Sequence, residues 1–99
     1  MAKSGLKLIP EDTLEIAVTI LKAVAHPLRL QIVNILLSRE CQVGELVKVL
    51  GSKQSITSQE LSILRFSGIL KSRKYWNKVY YSIANDSIKK IMESIIAEI

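Results

Sequence analysis

Over most of this chain the apolar positions recur with the 3.6-residue period of helices, and over one short stretch they alternate as strands do. Leu14, Ala17, Val18, Leu21, Val24 and Ala25 fill one helical face, and Ile16 and Ile20 add a second apolar edge. Pro10 suits a first-turn position, and Glu11, Asp12 and Glu15 complement the positive end of the helix dipole. A helix so apolar on more than one side is expected to be buried twice, by its own domain and by a second subunit. His26-Pro27 interrupts the pattern, because a residue before proline is steered out of the helical region. A second helix then begins at Pro27, carrying Leu28, Leu30, Ile32, Val33, Leu36 and Leu37 to about Ser38. Residues 1–9 have no usable period and are expected to form a flexible arm, leaving 10–99 as the folded domain.

Residues 43–68 read as two short helices joined at Gly51, which tolerates the positive φ that ends a helix. Val43, Leu46, Val47 and Leu50 make the inner face of the first. Ile56, Leu61, Ile63 and Leu64 are expected to make that of the second, which runs from about Gln54 to Phe66. Between them lie Gln54, Ser55, Thr57, Ser58, Gln59, Ser62 and Arg65, short or medium polar side chains able to hydrogen-bond base edges. The pattern predicts a helix-turn-helix whose second helix reads DNA; an αα-hairpin with a hydroxyl-rich solvent face is the plainer reading of these residues alone.

Strand character follows at 69–75 and 78–83, with Trp76-Asn77 as the turn. Val79, Tyr81 and Ile83 share the expected core face, leaving Tyr80 and Ser82 outward. All five aromatic residues lie between Phe66 and Tyr81, among Lys71, Arg73, Lys74 and Lys78. A basic, aromatic hairpin directly after a helix-turn-helix is the layout of a winged helix, whose wing lies along the phosphate backbone or enters the minor groove. The last segment is a helix capped by Asn85 or Asp86, with Ile88, Ile91, Met92, Ile95, Ile96 and Ile99 in one stripe. That stripe is an oversized apolar patch for a monomer. A two-fold homodimer follows, its interface built from Leu14, Val18, Leu21, Ile88, Ile91, Met92, Ile95 and Ile99.

Composition narrows the class. The chain has 99 residues, of which 48% are apolar, more than one small domain buries easily. Apolar runs fall short of the roughly 18–20 residues of a membrane span and no signal-peptide core is evident, so the expected location is the cytoplasm, with no membrane partner. The net charge of +5 is concentrated. Residues 52–83 hold Lys53, Arg65, Lys71, Arg73, Lys74 and Lys78 against Glu60 alone, whereas the flanking segments nearly balance. A polyanion is the natural partner for such a patch. One histidine, one cysteine and no glycine-rich phosphate loop leave no enzyme chemistry to assign. His26 is read as a structural turn or cap residue, and Cys41 as a small buried side chain.

The strings LKAVAHPLRLQIVNILL (21–37), VGELVKVLGSKQSITSQELSILR (43–65) and SGILKSRKYWNKVYYSI (67–83), in this order and followed by a short helix, resemble the ArsR/SmtB family of winged-helix repressors. The resemblance covers about four-fifths of the chain. It implies a mainly α winged helix-turn-helix of about five helices plus a two-stranded wing, acting as a dimeric repressor that an inducer releases from a DNA operator. The family's reading-helix motif is met by Gln54, Ser55, Ser58, Leu61, Leu64 and Arg65. Gln59 and Glu60 stand where histidines are common; Glu60 would accept from a cytosine, pair with Arg65 or point away from DNA. The family's thiolate metal positions correspond to Gln42 and Gly44, and the terminal helix lacks histidine. No metal or cofactor is therefore expected, and the inducer is unidentified. Trp76 stands where the family's wing tip often has glycine.

Two functions are compatible with these residues. In the first, the chain is a sequence-specific regulator with Gln54, Ser55, Thr57, Ser58, Gln59 and Ser62 at base edges or phosphates, and Arg65, Arg73, Lys74 and Lys78 on the backbone. In the second, it is a winged-helix module that docks a protein through its wing and Trp76.

Overall fold

A computed structural model describes residues 5–99; residues 1–4, the first part of the expected arm, lie outside it. The order of elements is α1 (Glu11–Val24), α2 (Pro27–Ser38), α3 (Val43–Leu50), α4 (Gln54–Phe66), β1 (Leu70–Tyr75), β2 (Lys78–Ile83) and α5 (Asp86–Ala97). This is the winged helix-turn-helix that the periodicity predicts. Pro10 sits just outside α1 as its N-cap, at φ −56° and ψ 147°. The chain bends by 96° between α1 and α2. His26 closes that corner, its Nδ1 facing the Arg29 amide at 3.5 Å as the N-cap of α2. No single helix among the described residues is long and apolar enough to cross a membrane.

The core lies where α2 meets every other element. Ile32, Val33 and Leu36 from α2 pack with Leu46 of α3, Leu61 and Leu64 of α4, Ile69 and Leu70 at the root of the wing, and Ile88 and Met92 of α5. Ile32, Leu46, Leu61, Leu64, Ile69 and Met92 are wholly buried, so the fold closes around large aliphatic side chains.

This packing corrects the expected interface. Ile88 and Met92 belong to the protomer's own core and are unavailable to a second subunit. Ile95 is partly buried against the same core. Leu14, Val18, Leu21, Ile91 and Ile99 remain exposed. The reason is helical phase: Ile88 and Met92 are four residues apart on the line of α5 that meets α2 and β2, and Ile91 lies beside that line.

The wing is a two-stranded antiparallel hairpin registered from Leu70 opposite Ile83 to Tyr75 opposite Lys78. Its base is held by a contact with no sequence signal. Cys41 pairs with Tyr81 through both backbone groups, at 3.1 and 2.8 Å, adding a one-residue third strand beyond β2.

Candidate nucleic-acid interface

The reading helix is positioned at both ends. Gly51 adopts φ 66° and donates to the Val47 carbonyl at 2.8 Å, ending α3 and turning the chain toward α4. Gly68, at φ 83°, ends α4, and Ile69 beyond it donates back to the Leu64 carbonyl at 3.0 Å. Along the inner side of α4 run Thr57, Glu60, Leu61 and Leu64, the spacing of one helical face.

Two of those inner residues are polar: Thr57 corrects the expected outer face, and Glu60 takes one of the orientations that the sequence left open. Thr57 is fully buried; its hydroxyl donates to the Lys53 carbonyl at 2.9 Å and lies 2.7 Å from the Ser52 hydroxyl. It fastens the inter-helix turn to α4 and is absent from that helix's outer face. Ile56, expected inside, is 44% exposed. Glu60 also points inward, 8% exposed, where its Oε1 accepts from the Arg29 guanidinium at 2.8 Å and lies 3.5 Å from His26 Nδ1. Arg29 in turn donates through Nε to the Ala23 carbonyl at 2.5 Å. A charged cluster thus joins the α1–α2 corner to the middle of the reading helix. Of the three roles open to Glu60, pairing with Arg65 is not the one observed: the carboxylate turns inward to Arg29. Arg29 and Glu40 escaped the sequence reading; the signal for Arg29's partner was a lone acid in an otherwise basic segment.

With Thr57 and Glu60 turned in, the outer side of α4 presents Gln54, Ser55, Gln59, Ser62 and Arg65, all exposed, with Ser58 half-buried at its edge. Arg65 also donates to the Ser72 hydroxyl at 3.2 Å, tying the end of α4 to β1. In the wing, Lys74 and Lys78 are exposed. Arg73 is not freely displayed: Glu40 grips it at 2.5 and 3.1 Å, and its guanidinium lies over the Tyr80 ring at 4.7 Å. That same hydrogen bond from Arg73 holds the Glu40 carboxyl below the ordinary carboxylate range.

A groove of about 530 Å³ runs between the helix pair and the wing, with Gln42, Lys48 and Ser58 on one side and Asn77 and Lys78 on the other. The turn of the wing and the edge of the reading helix therefore border the same concavity. At the start of α3, Glu45 accepts from the Gln42 amide at 3.0 Å and pairs with Arg39 at 2.6 Å. These bonds, Arg39's first, keep the Glu45 carboxyl low. Cys41 is 2% exposed, and burial pushes its thiol up, which favours the protonated form. Among the described residues no three histidine, cysteine, aspartate or glutamate side chains are grouped to hold a metal ion.

A polar reading helix beside a basic hairpin on a helix-turn-helix frame defines a winged-helix DNA-binding protein. Residues 26–72 match the model of the bacterial regulatory protein, arsR family. The transcriptional activator HlyU of Vibrio cholerae is 42% identical over 77 residues, covering 78% of this chain and 71% of that one. The biofilm growth-associated repressor of Agrobacterium fabrum is 36% identical over 83 residues, covering 84% and 70%. The solved structure of HlyU from Vibrio cholerae N16961 superposes with a TM-score of 0.84 at 37% identity, over 90% of this chain and 97% of that one. The homodimeric winged helix-turn-helix domain of Mb0332 from Mycobacterium bovis shares the fold at a TM-score of 0.81 and 22% identity, over 94% and 91%. The chain belongs to the ArsR family of transcriptional regulators. It is a DNA-binding regulator, not an enzyme.

Proposed function

We propose that the protein is a dimeric repressor that seats two copies of α4 in successive major grooves of a double-stranded operator, about 34 Å apart. The observation that carries this reading is the sorting of α4: every acidic or aliphatic anchor except Ile56 faces inward or sideways, and Gln54, Ser55, Gln59 and Ser62 face out. Gln59 is suited to a bidentate contact with adenine, while Arg65, Lys74 and Lys78 neutralise phosphates. Residues 10–99 carry both reading and pairing. The exposed Leu14, Val18, Leu21, Ile91 and Ile99 supply the apolar surface for a second copy. The Mb0332 domain, of the same fold, is described as homodimeric. Release by an inducer remains part of the proposal, and Gln42 and Gly44 offer no thiolate at the positions where the family's metal ligands would stand.

The test is binding to duplexes recovered by the protein from a random-sequence pool. Affinity should fall steeply as salt rises, since each neutralised phosphate releases counterions. Gln59→Ala should cost about 1–3 kcal/mol on the selected duplex and relax preference at one position, leaving non-specific binding unchanged. Salt-independent affinity would sink the proposal.

A further inference from the structure

Arg29 spans two helices to which the proposed function gives different tasks. Ala23 lies in the last turn of α1, and the residue that would close its helical hydrogen bond, four positions on, is Pro27, which has no N–H. Arg29 Nε takes that place, donating to the Ala23 carbonyl at 2.5 Å. Its Nη1 donates to Glu60 Oε1, midway along α4, at 2.8 Å. The guanidinium is a planar fork with donors at fixed angles, so it holds its two acceptors at a set separation. One acceptor belongs to the negative end of α1 and the other is a carboxylate, and a cation between them satisfies both. His26 Nδ1, 3.5 Å from the same carboxylate, completes the cluster.

The apolar part of the inner line does a different job. Leu61 and Leu64 are wholly buried in the core, and contact of that kind is not directional. It resists pulling α4 off the core more than it resists sliding or turning it. The Arg29 and Glu60 side chains are 15% and 10% exposed, so salt screens their bond little. A buried ion pair adds little net stability beside well-packed apolar side chains, and its best-attested use is to fix register. The register at stake is that of α4 against α1, the helix whose exposed Leu14, Val18 and Leu21 offer surface to a second copy. In a two-fold dimer, a shift of α4 against α1 occurs in both protomers and changes the separation of the two reading helices.

Resting on the dimeric DNA reading above, we propose that Arg29 and Glu60 are positioning residues that lock α4 to the end of α1 and so set the separation at which two half-sites are read. They act through α4 rather than on the duplex. Their contribution is to spacing specificity, not to the strength with which a single half-site is held.

The full chain is titrated in gel shifts with a duplex recovered from a random-sequence pool. Copies of that duplex carry one base pair more or fewer between the half-sites, a change of about 3.4 Å and about 35°. The wild type should bind the altered duplexes about tenfold more weakly, and a wild type indifferent to spacing overturns the inference. Arg29→Lys keeps the charge but presents a single ammonium that cannot span both acceptors. It should stay folded and dimeric, hold a half-site duplex as the wild type does, and bind the three spacings within about threefold of one another. The paired variant Arg29→Met with Glu60→Met strands no charge and should behave likewise, with a melting temperature near that of the wild type. Glu60→Gln, which keeps an acceptor for Arg29, should retain the wild-type discrimination. Discrimination that survives in both Arg29→Lys and the paired variant overturns the inference. So does a weakening equal across all spacings and the half-site duplex, which is what a merely structural role gives. Failure of the wild type to bind any duplex overturns the DNA reading itself.

Discussion

Glu60 sits midway along α4 and faces away from the surface its helix presents. A carboxylate beside phosphates would weaken binding; the Arg29 guanidinium at 2.8 Å resolves the conflict by drawing it inward. Removing one partner of such a pair strands the other. Glu60→Ala should therefore lower the unfolding free energy by about 3 kcal/mol in urea melts, and Glu60→Gln, which keeps an acceptor for Arg29, by clearly less. Equal losses would show that packing, not the charge pair, is what matters. Glu40 poses the opposite case at the surface, where it occupies Arg73, a cation the DNA backbone could use. Glu40→Gln should raise DNA affinity and steepen its salt slope by about one, read from gel shifts across a salt series. The same contact sets a small pH dependence. Its folded carboxyl lies below the ordinary value of 4.5, so the contribution is complete above that value and is lost as pH falls through the lower folded one. Urea midpoints of the wild type and Glu40→Gln should differ most near neutral pH and converge in acid.

At the scale of elements, phase decides which apolar residues serve the protomer and which are left over. Met92 is wholly buried on α5 while its neighbour Ile91 is 47% exposed. Met92→Ala should destabilise the protomer by about 2–5 kcal/mol. Ile91→Asp should leave the circular dichroism spectrum intact and shift sedimentation toward monomer. A dimeric Ile91→Asp would place the interface elsewhere. The helix and strand bounds were legible because each has a physical stop in the sequence: His26-Pro27, Gly51, Gly68 and the cap at Asn85, whose side chain accepts from the Ile88 amide at 2.9 Å. The inner line of α4 was not legible in the same way. Counting apolar residues placed Ile56 inside and Thr57 outside. The turn at Ser52 and Lys53 and the Arg29 side chain, contributed from elsewhere, chose the other rotation.

Over the whole molecule, the concentration of charge becomes a surface only after folding. Residues 52–83 hold nearly all the excess, and the hairpin register and the Arg65–Ser72 bond bring wing and reading helix to one side. A cation count alone overstates the result, because Glu40 and the Tyr80 ring occupy Arg73. What the sequence determined by itself is what rests on local chemistry: seven elements and their order, the helix-turn-helix, the wing, the basic segment, and the family whose strings they spell. What only the tertiary structure decided rests on contacts between residues far apart in the chain. Those are the 31-residue span from Arg29 to Glu60, the 33-residue span from Glu40 to Arg73, and the bridge from Cys41 to Tyr81. Local periodicity carries no information about such pairs, since any exposed-looking charge can be turned inward once a distant partner offsets the loss of water.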